Sequence, residues 1–539
     1  MFSQRISISL FRVFGISRRR FNSNFTSIND DQPKNKRLIE ICRTYLDISK
    51  QKANFIIEKN PGIFDGNSSF KEIESTLRYL TNKYSSSEIL KNPACIIINA
   101  STYENRHQVL KECLFRDIQL SMLVKYASIM RKNVSVLKAY NYIIPHGDVI
   151  ENLKIQLNIP ININKSKLSE QMSLNDLRRD VMNVYLRERL QMTDEEINRA
   201  RDVYRNLKHR SLKSIVEVLD ILLNEFDFTR EKIVRNAYLL SAHPKNILNI
   251  LETTPCIADV DIKQILKSRP KIMMQSSENI RTIIDSVKKF NIPESSIIKC
   301  HEIFTLSPET VNNRLAELYT IKEFHVMFSH PRILKLIYYY NTARSRMEQL
   351  KQLKTQCYSL NLLSATSAVF EKYVCLGEDK TKGKEIFHYL SKQLNMPNKD
   401  VRAVVLLHPR WTQVSVLSIK QTIDFLLYNN FTQEDIKENI LLLLYPVSRI
   451  KPKLEELLEW EMENNYNNAK SLPSNKLLNM CLYFIESEYH FTGDAVFETT
   501  RVDSKNDALI SAIVTKNLIE GKKNNTFNNV STQANVTTE

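Results

Sequence analysis

Six cations crowd into fifteen residues of this chain. Arg199, Arg201, Arg205, Lys208, Arg210 and Lys213 stand against a single acid, Asp202. A guanidinium presents a planar fork of donors and an ammonium a compact charge, and both suit phosphate oxygens. A second set of cations lies beside prolines: Lys245, Arg269, Lys271, Arg332, Lys335, Arg410, Arg449, Lys451 and Lys453. Where helices start at such prolines, their free N–H groups and dipoles add to an Arg–phosphate contact. The chemistry within reach is the binding of a polyanion. The bland counterpart for both sets is a solvated outer helix face.

Other chemistries find little to work with. The cysteines at 42, 95, 113, 256, 300, 357, 375 and 481 form no Cys-x-x-Cys pair, so no zinc ligand set of known spacing exists. Cys300-His301 is the one adjacent Cys/His pair, and reads as a small apolar residue beside an imidazole. There is no Gly-x-Ser-x-Gly, no phosphate-binding Gly-rich loop and no His-Glu-x-x-His. The expectation is no enzyme, no cofactor and no metal. His243-Pro244, His330-Pro331 and His408-Pro409 recur in similar settings, which marks the histidine as structural: a polar residue at a helix end, where a cation favours the dipole. Tyr338-Tyr339-Tyr340 could stack on a base, but at helical spacing core packing is the simpler role.

The elements that must position these cations are helices. The chain has 539 residues, a net charge of +16 and only 8 glycines. That is far below the usual ~7%, and it predicts few turns that need a positive φ. No aliphatic run approaches the ~20 residues that cross a bilayer; Ile440 to Leu444 is typical. Residues 1–28 hold five arginines, at 5, 12, 18, 19 and 20, with no lysine and no acid. Such an amphipathic, Arg- and Ser-rich leader resembles a mitochondrial transit peptide. Residues 461–539 carry 7 basic and 10 acidic residues, which leaves 64 basic and 50 acidic in 29–460, a net +14. Residues 461–475 are Asn-rich and read as a linker, 476–490 as a capping helix within a 461–520 segment, and 521–539 as a disordered tail.

A repeat is written in the prolines. An apolar pair precedes Pro61 (Ile56-Ile57), Pro244 (Leu239-Leu240), Pro270 (Ile265-Leu266), Pro308 (Ile303-Phe304), Pro331 (Val326-Met327), Pro409 (Val404-Val405) and Pro446 (Leu441-Leu442) by the same offset. Pro93 is a near match behind Ile89-Leu90. Proline pushes the residue before it out of the helical region and lacks the N–H that would continue a helix, yet suits the first turn of the next. Each motif thus reads as helix, stop, helix. Ser85-x-x-Glu88, Thr193-x-x-Glu196 and Thr432-x-x-Asp435 look like capping boxes upstream. Successive stops lie 32 apart (61 to 93), 38 apart (270 to 308) and 37 apart (409 to 446), with short intervals of 26 (244 to 270) and 23 (308 to 331). Ile129-Met130, Val203-Tyr204 before Lys208, and Leu362-Leu363 read as degraded copies. Units of this size cannot bury an apolar face alone, so residues 38–460 are expected to form an all-α solenoid of stacked repeats.

The motifs Ile56–Phe64, Ile265–Met273 and Met327–Leu334 resemble the repeat signature of the mitochondrial transcription termination factor (mTERF) family. That resemblance covers most of residues 50–460. It implies a right-handed superhelix of helical repeats, nucleic-acid binding along a basic concave groove, and no enzymatic activity. It further implies the mitochondrial matrix and its nucleoid as the location, double-stranded mitochondrial DNA as the partner, and transcription termination or initiation as the process regulated. Another family member or the mitochondrial transcription machinery is the implied protein partner, and no membrane is implied. Two alternatives stay open: an rRNA-binding ribosome-assembly factor on the same fold, and a protein–protein scaffold. The scaffold predicts that reversing Arg269, Arg332 and Arg410 to Glu leaves nucleic-acid binding unchanged.

Overall fold

The structure, a computed structural model, describes residues 33–60, 70–158, 169–377, 379–465 and 472–498. The expected leader 1–28, the Pro61 stop and the tail 521–539 lie outside the described residues, as does part of the 461–475 stretch. Two compact units divide the chain, one up to residue 248 and one from residue 249. The one sheet among the described residues is a two-stranded ribbon, Cys256–Ile257 against Val260–Asp261. All other regular structure is helical, so the chain is all-α.

The recurring unit is a longer helix, a short helix and a 3-10 helix. Its most regular stretch has 3-10 helices at Arg205–His209, Ala237–Ser241, Pro270–Met274 and His301–Thr305, whose starts are 32, 33 and 31 residues apart. Pro93–Ile97 and Ile440–Leu444 are two more. The third and fourth residues of these helices enter the core: Cys95-Ile96, Leu239-Leu240, Ile272-Met273, Ile303-Phe304 and Leu442-Leu443 are all buried. Arg205–His209 departs from this rule, because Leu207 is buried while Lys208 is exposed.

The prolines hold two different positions, which corrects the spacing expected from sequence. Pro93 and Pro270 open a 3-10 helix, whereas Pro244 and Pro308 open the longer helix that follows one. Both kinds trail an apolar pair by a similar offset, so the 26- and 38-residue intervals mix two positions of one even repeat. Val203-Tyr204 likewise precedes a 3-10 helix that begins at Arg205, not a stop at Lys208.

Side chains explain where each helix ends. Ser85 with Glu88, Thr193 with Glu196 and Thr432 with Asp435 form reciprocal capping boxes. Ser211, Ser276, Ser307 and Ser415 each accept an amide hydrogen at the start of the next longer helix. Asn92, Asn236 and Asn439 close the short helices, their Nδ2 atoms donating to the carbonyls of Glu88, Lys232 and Asp435 at 3.0, 2.8 and 2.9 Å. The turns after longer helices run through left-handed Gln191, Asn291, Lys354, Asn395 and Asn430. Fourteen described residues other than glycine have positive φ, eight of them Asn or Asp. Scarce glycine therefore does not mean few such turns; Asn and Asp, which tolerate this region, make them instead.

Arginines fasten one repeat to the next. Arg178 Nη2 donates to the Arg210 carbonyl at 2.7 Å, and Arg210 Nη2 donates to the Ala242 carbonyl at 2.6 Å, each 32 residues ahead. Both carbonyls stand where a 3-10 helix finishes.

Candidate nucleic-acid interface

The segment 199–213 folds as the end of the helix Asp194–Val203, the 3-10 helix Arg205–His209 and the start of the helix Leu212–Asp220. Side chains three apart eclipse one another in a 3-10 helix, so Arg205 and Lys208 share an edge. Both are exposed, as is Arg199, and none of the three forms an ion pair among the described residues. Lys213 is also exposed, with Glu217 3.9 Å away on the next turn. Arg201 and Arg210 are placed differently. Arg201 is half-buried and donates to Asn183 Oδ1 at 3.4 Å, and Arg210 is committed to the Ala242 carbonyl. Burial lowers the pKa of both guanidinium groups. The six clustered cations thus sort into four that face solvent and two that serve the packing. Lys245 is exposed at the second position of the helix Pro244–Thr253, 32 residues beyond Lys213 at the second position of its own helix.

A buried clamp in the first unit sets the backbone that carries these cations. The helix Ala100–Glu112 lies against the junction at 209–213. Asn105 Nδ2 donates to the His209 carbonyl at 2.8 Å, and its Oδ1 accepts from Ser211 N at 3.0 Å. The Glu112 carboxylate accepts from Leu212 N and Lys213 N, both at 3.1 Å, and so caps the new helix. Arg178 balances it, with Nη2 3.5 Å from Glu112 Oε2 and both side chains buried. His209 packs edge-on against Tyr126. Burial, with Lys208, Arg178 and Arg106 nearby, pushes its pKa down to about 4, so it stays neutral. Sequence reading missed this clamp because its partners are about a hundred residues apart.

Apart from Lys245, which lies in the first unit, the second set of cations is dispersed within the second unit, where most members have partners. Arg269 precedes Pro270 and pairs with Glu302, one repeat ahead, at 2.5 Å. Lys271 is exposed without an ion pair among the described residues. Arg332 and Lys335 open the helix Ile333–Tyr338 and are half-buried. Arg410 lies 3.1 Å from Asp494. Arg449 donates to the carbonyls of Phe497 and Glu498 at 3.3 and 3.2 Å. Lys451 pairs with Glu455 at 3.8 Å, and Lys453 with Glu456 at 3.0 Å and Glu488 at 2.6 Å.

The three His-Pro steps are not equivalent. His330 and His408 are buried, and each Nδ1 accepts the amide hydrogen of the arginine two residues on, at 3.2 Å. Burial pushes His330 down to about 4 and lowers His408 too. Both are neutral acceptors rather than the helix-end cations expected from sequence. His243 differs, standing 3.7 Å from Glu104. Of the tyrosines, Tyr340 is in the core beneath the Arg314 guanidinium, and Tyr339 is exposed.

Among the described residues, Glu385 is a buried carboxylate whose titration should be visible in stability. It is buried, accepts from Ser359 Oγ at 3.0 Å and Asn361 N at 3.2 Å, and burial pushes its pKa from 4.5 up to about 7. The folded chain holds this proton up to about pH 7 and the unfolded chain releases it near 4.5, so its stabilising effect is complete below pH 4.5 and is lost as pH rises through 7. Glu385→Gln should therefore match the native protein near pH 4.5 and exceed it by about 3 kcal/mol at pH 8. Urea midpoints at the two pH values check this; equal midpoint differences at both would contradict it.

Among the described residues no group of His, Cys, Asp and Glu could hold a metal ion. No described helix is long and apolar enough to cross a membrane. No protein-family model and no solved structure matches the chain. It is 37% identical over 436 residues to a Drosophila melanogaster protein named mitochondrial transcription termination factor 5, an alignment that covers 79% of this chain and 78% of that one. It is 22% identical over 299 residues to another from the same organism, named mitochondrial transcription termination factor, covering 50% of this chain and 71% of that one. The first similarity spans most of both proteins, and the chain it spans is built of the helical repeat that the motifs foretold. The chain belongs to the mitochondrial transcription termination factor family.

Proposed function

We propose that the chain is a non-enzymatic protein that binds double-stranded mitochondrial DNA and regulates its transcription, at termination or at initiation. The observation that carries this reading is the group of exposed cations in successive repeats: Arg199 on the helix Asp194–Val203, Arg205 and Lys208 on the 3-10 helix after it, and Lys213 and Lys245 at helix starts. The names of its two relatives support the process. Stacked as a right-handed superhelical solenoid over residues 38–460, the repeats bring equivalent positions such as Lys213 and Lys245 to a basic groove at regular intervals. A duplex backbone offers phosphates at similarly regular intervals, and each one neutralised releases counterions. Glu112 and Asn105 hold the backbone at 209–213, so the cations there need little ordering on binding. The protein then acts as a block or a recruiting platform, with another family member or the transcription machinery as its partner. The leader 1–28 directs it to the matrix and the nucleoid.

Crosslinking in mitochondria followed by sequencing of the bound strand tests this. Mitochondrial DNA fragments are the expected product. Recovery of rRNA alone assigns the chain to ribosome assembly, and recovery of no nucleic acid to a protein scaffold.

A further inference from the structure

The cations of the second unit differ from those at 199–213 in one respect: its own C-terminal segment neutralises several of them. The helix Ser474–Glu488 packs along Val447–Asn465, and the chain then turns back through left-handed His490, Phe491 and Gly493. Glu488 reaches Lys453 at 2.6 Å, and Asp494 reaches Arg410 at 3.1 Å. The carbonyls of Phe497 and Glu498 take Arg449 Nη2, whose guanidinium also lies 5.2 Å from the Tyr489 ring centre. Carboxylates and carbonyls thus hold three of the four most C-terminal candidate cations, as phosphate oxygens would.

The segment is seated rather than loosely laid. Ala495 and Val496 are buried. Gly493 has φ +75° and sits so close to His408 and Pro409 that a Cβ there would lie 2.8 Å from Pro409 Cγ. Glu486 accepts from the Tyr445 hydroxyl, which also meets His408 Nε2 at 2.8 Å. Yet the two charge pairs themselves are half-exposed, and exposed pairs contribute little and are screened by salt. Competing phosphates can open them without unfolding the unit.

We propose that residues 488–498 form an autoinhibitory strap that occupies the basic surface at Arg410, Arg449 and Lys453 and yields it only to a bound polyanion. This deepens the nucleic-acid reading above and rests on it for the identity of the polyanion. The strap shortens the stretch of cations open to a duplex and makes full engagement conditional on displacing it.

The test compares three full-length proteins: native, Glu488→Gln/Asp494→Asn, and the control Asp424→Asn/Glu434→Gln. The control makes the same charge change and frees Lys420 and Lys437, which pair with those acids on their own helices. Each is eluted from heparin by a salt gradient and titrated against a mitochondrial duplex. The strap variant should elute later than both others, bind duplex about three- to tenfold tighter near 100 mM salt, and show a steeper salt dependence. A strap variant that elutes with the native protein, or a control that gains as much, overturns the proposal. Later elution from heparin with no duplex binding by any of the three would uphold the strap and remove the nucleic-acid reading.

Discussion

Replacing Glu112 with alanine should destabilise the first unit by about 3–5 kcal/mol, a large effect for one surface-remote side chain. The carboxylate has three tasks at once. It accepts the buried amide of Leu212 and the part-buried amide of Lys213, and lies beside the buried Arg178 guanidinium. Alanine leaves a buried donor, a part-buried donor and a buried cation without their partner, and the penalty is the desolvation of those groups rather than the modest net worth of the bonds. Adding Arg178→Met should recover part of the loss, because it removes the stranded charge, but not all of it, because the helix start stays uncapped. Hydrogen exchange at Leu212 and Lys213, with urea unfolding of both variants, measures this. A loss below about 1 kcal/mol for the single variant would mean that the pair is solvated.

The second large effect is on binding. Reversing Arg199, Arg205, Lys208 and Lys245 to Glu should weaken duplex binding at least a hundredfold at about 100 mM salt while leaving the thermal midpoint nearly unchanged. These four side chains face solvent and form no ion pair among the described residues, so no packing depends on them. Reversing Arg269, Arg332 and Arg410 is a weaker test than their positions beside the helix stops suggest. Arg269 and Arg410 already have acidic partners in Glu302 and Asp494, so their loss disturbs repeat contacts and the C-terminal strap as well as any phosphate. A shift titration of the fourfold variant, read beside circular dichroism, separates the two effects.

Helix ends were the most legible part of the chain, because their signals are local. Three capping boxes stand where Ser85, Thr193 and Thr432 with their downstream acids placed them. The all-α class followed from composition and from proline stops, each of which acts on its immediate neighbours. The even repeat was hidden because proline can open either the 3-10 helix, as at 270, or the helix after it, as at 308. Glycine misled because its scarcity says nothing about asparagine, and Asn291, Asn395 and Asn430 make the left-handed turns. Within the basic segment, charge alone could not tell Arg205 from Arg210. One faces water and the other reaches a carbonyl 32 residues away. Long-range partners such as Asn105 and Glu112 leave no trace in the sequence around residue 209, so the clamp was illegible there.

The salt dependence of duplex binding, measured in parallel for the native protein and the fourfold variant, tests the proposed role most directly. If the exposed cations at 199–245 contact phosphates, log K falls linearly with log salt for both, and the native slope is steeper by about 3–4. Equal slopes, or a native protein that fails to bind duplex even at low salt, would contradict it.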